Sequence, residues 1–192
     1  MIYTLFRGNS KRGMTVAQDS WVFAYGSLMW RPDFVFEERV GARLFGYHRQ
    51  ACIYSTHYRG TLERPGLVVG LMRGGSCAGC CYRVAVSRWE EVKAYLDGRE
   101  LITQVYIPKM LRCRLVGGRL VTAYAFVADP HHPQYAGGLT LDEQVKVVRQ
   151  GRGKEGSSRE YLANLSTHLG ALGVHDRALH RLLEIVDEQS TF

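Results

Sequence analysis

Glu100 leads into an apolar stretch, Leu101-Ile102, just behind a polar break at Asp97-Gly98. A carboxylate drawn into apolar surroundings has a raised pKa, because loss of water penalises its charged form. A carboxyl group titrating nearer neutrality is what a general base or acid needs. The competing reading is a surface glutamate paired with Arg99 or Arg112, and position alone favours it. The second chemical feature is Tyr25-Gly26-Ser27-Leu28, which ends the bulky run Val22-Phe23-Ala24 and leads into Met29-Trp30. Glycine lets the backbone turn tightly and approach a ligand closely. Successive N–H groups in such a turn form a nest for a carboxylate or a developing oxyanion. A plain tight turn after a strand fits equally well. Ser27 is a poor nucleophile, since no G-x-S-x-G elbow surrounds it and nothing arranges Asp and His residues into a triad.

Three further clusters invite chemistry. Cys77-Ala78-Gly79-Cys80-Cys81 has no second paired cysteine motif to complete a four-ligand zinc site, so core filling is the better reading. His131-His132, between Pro130 and Pro133, reads as a rigid surface turn. Gly151-Arg152-Gly153-Lys154-Glu155-Gly156-Ser157-Ser158 lacks P-loop spacing and follows no strand. It reads as a mobile, basic loop before a helix N-terminus, a natural anion site. Tyr161, in the first turn of that helix, is placed to aim its hydroxyl at the same ligand, although core packing at helical spacing explains it slightly better.

The elements that must position these residues read as strands first and helices later. Trp21–Tyr25 is continuous and apolar, hence buried on both faces or lining a barrel. Val40–Tyr54 is strand-like, with Gly41 and Gly46 as expected bends or bulges. Leu67–Met72 is followed by Gly74-Gly75, an expected turn, and Cys80–Val86 partly alternates. Leu111–Val116 and Leu120–Phe126 flank Gly117-Gly118, a hairpin signal. Ser87-Arg88-Trp89-Glu90 predicts a capping box opening a short helix through Leu96, with Trp89, Val92 and Leu96 on one face. Thr140-Leu141-Asp142-Glu143 predicts a second, to about Gln150. Ser157-Ser158-Arg159-Glu160 predicts a third, with Tyr161, Leu162, Leu165, Leu169 and Leu172 in register and Gly173 as its stop. Leu179, Leu182, Leu183 and Val186 mark a final helix. The order implies one α+β domain around a strongly curved or closed sheet.

Composition bounds the function. The chain has 192 residues, 46% hydrophobic, with a net charge of +7. No apolar run approaches the roughly 20 residues of a membrane span. The basic residues are scattered and follow no nucleic-acid-binding pattern, so a solvated basic face is the plainer reading. Five cysteines, an odd count, fit free thiols in a reducing cytoplasm. Residues 1–20 lack the apolar core of a secretory signal and read as a flexible leader, with the domain spanning 21–188.

Taken in order, Phe23–Pro32, Tyr58-Arg59-Gly60-Thr61, Pro65-Gly66-Leu67, Gly74–Cys77, Tyr95–Glu100, Val105–Pro108, Asp129–Tyr135, Glu160-Tyr161-Leu162 and Leu169–Gly173 resemble the ChaC-type, glutathione-specific γ-glutamylcyclotransferases. The resemblance covers about residues 21–186. It implies a γ-glutamylcyclotransferase-like fold: a small β-barrel with surrounding helices. It implies cleavage of glutathione to 5-oxoproline and cysteinylglycine, without metal or organic cofactor. It maps Glu100 onto the catalytic glutamate and Tyr25, Gly26, Ser27 and Leu28 onto the loop that holds the γ-glutamyl group. Met29, Trp30, Arg99 and Tyr161 complete the expected substrate-binding set. Arg31 and Arg59 are further candidates for the anionic substrate. The sequence departs from the family pattern at Ala24 (usually glycine), Leu62 (often proline) and Ser158 (often asparagine). Two alternatives stay open: a cyclotransferase for another γ-glutamyl compound, and a non-catalytic glutathione-binding module.

Overall fold

The computed structural model describes residues 19–188. Five strands form a closed barrel in the order β1-β3-β2-β4-β5. They are β1 (Ser20–Ala24), β2 (Glu38–Ser55), β3 (Gly66–Val84), β4 (Tyr106–Leu115) and β5 (Leu120–Ala128). All neighbours are antiparallel except the closing pair, where β1 runs parallel to β5 with Trp21 opposite Ala123 and Val22 opposite Tyr124. This explains the unbroken apolar run of β1: Trp21, Val22, Phe23 and Ala24 are all buried. The expected leader lies outside the described residues up to position 18, and Ser20 already pairs with Val84.

Helix α1 (Trp89–Glu100) connects β3 to β4. After β5 come α2 (Leu141–Gln150), the two-residue strands β6 (Arg152–Gly153) and β7 (Gly156–Ser157), then α3 (Ser158–Gly170) and α4 (Arg177–Glu188). Helices α2 and α3 pack on β3 and on α4. The three helices bury Val145, Val148, Leu162, Leu165, Leu169, Leu179, Leu182 and Val186, at the predicted helical spacing. Both late capping boxes form, at Thr140 with Glu143 and at Ser157 with Glu160. The Gly117-Gly118 hairpin also forms, with φ near 92° and 91°.

Four local expectations are corrected. Gly74-Gly75 is not a turn. It is a bulge inside one 19-residue strand, where Gly74 and Gly75 oppose Gly46 alone, between the pairs Tyr47–Arg73 and Phe45–Ser76. Gly41 is no bend, since its pairing with Cys80 continues the ladder on both sides. Ser87 does not cap α1. It sits in a 3₁₀ turn, Val86–Arg88, and Arg88 occupies the N-cap without a side-chain bond. Asp97-Gly98 does not end α1 either. Lys93 Nζ and the Tyr124 hydroxyl hold the Asp97 carboxylate at 2.6 and 2.5 Å, and the helix runs on to Glu100.

Candidate active site

A cavity of about 360 Å³ opens at one end of the barrel, and Glu100, Tyr25, Gly26, Ser27, Leu28, Arg99 and Tyr161 all line it. Glu100 arrives as the last residue of α1, so the helix fixes its position rather than a loop. Its side chain keeps 19% of its surface exposed. Burial raises its pKa above the usual glutamate value, and the Arg99 charge opposes that rise. Arg99 Nε lies 3.2 Å from Glu100 Oε1, and among the described residues nothing hydrogen-bonds Oε2.

Arg99 also ties the helix end to the glycine turn. Its guanidinium donates to Ser27 Oγ at 3.1 Å, to the Arg31 carbonyl at 2.7 Å and to the Tyr95 hydroxyl at 2.9 Å. Tyr95 and Arg99 sit one turn apart on α1, so both face the cavity. The turn itself is a 3₁₀ segment, Ser27–Met29, closed by Met29 N–H donating to the Gly26 carbonyl at 2.9 Å. Gly26, Ser27 and Leu28 open that segment, so their N–H groups have no partner within it. Beneath it, the Tyr82 hydroxyl donates to the Leu28 carbonyl at 2.9 Å, and the Tyr25 hydroxyl to the Phe126 carbonyl at 2.7 Å.

Tyr161 stands against this turn. A Cβ on Gly26 would lie 3.0 Å from the Tyr161 hydroxyl and 3.5 Å from Val69 Cγ2, so any side chain there would push the hydroxyl or the turn aside by a few tenths of an ångström. Tyr161 is held by α3, whose start is stapled to β3. The buried Ser158 hydroxyl accepts from Leu67 N–H at 2.6 Å and donates to the Leu67 carbonyl at 2.5 Å. Burial pushes the Tyr161 hydroxyl well above the usual tyrosine range, which keeps it neutral.

The far wall is the segment after β2, with β6 and β7 behind it. Arg59 is buried, donates to the Glu155 carbonyl, and lies 5.6 Å from the centre of the Tyr161 ring. Arg31 pairs with the Glu155 carboxylate at 2.5 Å and holds its pKa down. The loop at 151–158, expected to be mobile and to bind an anion, is a β6–β7 hairpin tied to the segment after β2. Its Lys154 and Glu155 amides donate to the His57 and Tyr58 carbonyls, and Glu160 already caps the helix N-terminus. Tyr161 lines the same cavity as Glu155 of this loop.

Met29 and Trp30 are not brought to the cavity. Met29 is packed in the core, and Trp30 packs at a tilt against Tyr161 and stacks on His168, with ring centres 5.7 and 5.3 Å apart. All three residues of the cysteine cluster, Cys77, Cys80 and Cys81, are buried free thiols in the core, in keeping with core filling. Sequence reasoning gave no role to Tyr58, Tyr95, Tyr106 or Glu155, which also line the cavity. The first three lay inside the motif runs that carried the resemblance. For Glu155, only its place among basic residues was a signal.

The family model described as ChaC-like protein matches residues 20–189. The glutathione-specific gamma-glutamylcyclotransferase of Escherichia coli (strain K12) is 36% identical over 163 residues, covering 85% of this chain and 71% of that protein. The glutathione-specific gamma-glutamylcyclotransferase 1 of Homo sapiens is 31% identical over 178 residues, covering 91% and 80%. A crystal structure of the yeast gamma-glutamyl cyclotransferase specific to glutathione superposes with a TM-score of 0.82 at 24% identity, covering 89% of this chain and 96% of that one. That likeness shows the fold. The closed barrel and the matched length lead to one assignment: the chain belongs to the ChaC-like protein family.

Proposed function

We propose that this protein is a γ-glutamylcyclotransferase that splits glutathione into 5-oxoproline and cysteinylglycine. The observation that carries the reading is the part-buried Glu100 carboxylate, its pKa raised, in one cavity with the Gly26 turn. The names of the similar proteins support the substrate.

The chemistry is dictated by the substrate. The α-amine of the γ-glutamyl unit attacks its own γ-carbonyl carbon and closes a five-membered ring. At neutral pH that amine is protonated and inert. Glu100 takes the proton, and the freed lone pair forms the new C–N bond. The carbonyl oxygen becomes an oxyanion, facing the N–H groups of the Tyr25–Leu28 turn. The intermediate then collapses: the ring nitrogen gives up its second proton, the bond to the cysteine nitrogen breaks, and both protons shed by the amine end on that nitrogen, the first returned by Glu100. No water is consumed. Folding the flexible chain in the cavity removes much of the entropy cost of ring closure. Tyr161 and Arg99 shape the pocket around the γ-glutamyl group, and Arg31 and Arg59 provide positive charge for the carboxylates.

Buried free thiols suit a reducing compartment, which supports a cytoplasmic location. Among the described residues no helix is long and apolar enough to cross a membrane. The test is incubation of purified protein with glutathione and mass spectrometry of the products. The reading expects 5-oxoproline and cysteinylglycine in equal amounts. Free glutamate in place of 5-oxoproline would mean hydrolysis, and no product would remove the activity.

A further inference from the structure

We infer that Arg49 is a positioning residue for catalysis: it fixes the Tyr25–Gly26 peptide so that the Gly26 N–H faces the cavity as an oxyanion donor. The inference rests on the cyclotransferase reading above and adds a residue to it.

Arg49 lies on β2 opposite Leu71, and its side chain is only 4% exposed. It does not line the cavity. Its three nitrogens bind three different parts of the chain. Nε donates to the Tyr25 carbonyl at 2.8 Å. Nη2 donates to the Ala78 carbonyl on β3 at 2.6 Å. Nη1 pairs with Asp176 Oδ2 at 3.2 Å, while Asp176 Oδ1 accepts from the Leu179 N–H at the start of α4. A buried cation costs several kcal/mol unless paired and hydrogen-bonded, and here both conditions are met. The strand and the helix therefore hold the guanidinium in place for its bond to Tyr25.

The bond to Tyr25 matters because the Tyr25 carbonyl and the Gly26 N–H belong to one peptide unit. No described peptide bond is cis. In a planar trans peptide the C=O and the N–H of the same unit point in opposite directions. Arg49 holds the Tyr25 carbonyl behind the cavity wall, which aims the Gly26 N–H to the other side, where Tyr25 and Gly26 line the cavity. Gly26 makes this peptide unusually free to rotate, since glycine tolerates both orientations. A flipped unit would present a carbonyl oxygen to the developing oxyanion and repel it. A charged donor on the carbonyl also polarises the peptide, so the Gly26 N–H becomes a stronger donor in a site of low dielectric.

The test compares wild type with Arg49→Met and Arg49→Lys in steady-state kinetics on glutathione, each assayed below its own measured unfolding temperature. An oxyanion donor acts in the transition state more than on bound substrate. Arg49→Met is expected to lose about 10²-fold in kcat, the order seen for loss of an oxyanion donor, with KM within about threefold. The acid limb of its pH profile stays where it is, because Glu100 keeps its own neighbours. Arg49→Lys keeps a charge but not the three-way fork, and recovers part of the loss. A folded Arg49→Met with wild-type kcat and a lowered unfolding temperature would show a structural role only and overturn the inference. If Arg49→Met does not fold, Arg49→Lys decides: about a tenfold loss of kcat supports the inference, and unchanged kcat overturns it. Wild type that yields no 5-oxoproline overturns the cyclotransferase reading first, and this inference with it.

Discussion

The Tyr161 hydroxyl occupies the space that Gly26 leaves by lacking a side chain, 3.0 Å from where a Cβ would stand. The two residues are 135 positions apart, and they meet because α3 is stapled to β3 through Ser158 and Leu67. Gly26→Ala therefore forces the hydroxyl or the turn to move. We expect Gly26→Ala to fold and to lose at least about tenfold in kcat/KM, and Tyr161→Phe alone mainly to raise KM. The double variant should recover part of the Gly26→Ala loss, because the clashing oxygen is gone. Additive losses in the double-mutant cycle would show that the two residues are uncoupled.

Arg99 and Glu100 give a pH prediction with a definite sign. Burial raises the Glu100 pKa and Arg99 lowers it. The base form appears as pH rises through that raised pKa, so the acid limb of kcat/KM should lie above the ordinary glutamate range. Arg99→Met removes the opposing charge and should move the limb to still higher pH. A limb that moves to lower pH would mean that Arg99 does not stabilise the carboxylate.

The Glu155 carboxylate pairs with Arg31 at the cavity wall. An anionic substrate must share that arginine. Glu155→Gln should lower KM for glutathione a fewfold, with stability nearly unchanged, since half-exposed ion pairs contribute about 0–1 kcal/mol. A raised KM would mean that Glu155 orders Arg31 for the substrate rather than competing with it.

Ser158 is fully buried and bonds both the N–H and the carbonyl of Leu67. Ser158→Ala leaves those contacts unmade. Denaturant unfolding should show a loss of about 1–3 kcal/mol, with KM rising as Tyr161 loosens. Unchanged stability would show that Leu67 is satisfied without the hydroxyl.

Local signals were legible and distant ones were not. The β1 run, the Gly117-Gly118 hairpin and the two late capping boxes are encoded within a few residues, and each appears where the pattern places it. Gly74-Gly75 carries the same local mark as a turn. Only the register on another strand, where Gly46 alone stands opposite the two, makes it a bulge. Asp97-Gly98 reads as a helix stop, yet Tyr124 and Lys93 hold Asp97 inside the helix and deliver Glu100 at its end. The resemblance named Tyr25–Leu28 as the loop and Glu100 as the carboxylate, and all five line one cavity, whereas Met29 and Trp30, also expected at the site, do not line it. Met29 and Trp30 face the core and the back of Tyr161. Arg49 had no sequence signature. It reads as one polar residue in a strand, and its partners lie 24, 29 and 127 positions away.

The central claim is that Glu100 moves the proton. The most direct measurement is the kcat of Glu100→Gln on glutathione at neutral pH, beside its unfolding temperature. The variant keeps the side-chain shape and loses the basic oxygen. It should fold with an unfolding temperature at or above that of wild type, because a carboxylate with a raised pKa costs stability once pH exceeds its unfolded value. Its kcat should fall by about 10²–10⁴. A folded Glu100→Gln that still forms 5-oxoproline at the wild-type rate would contradict the account.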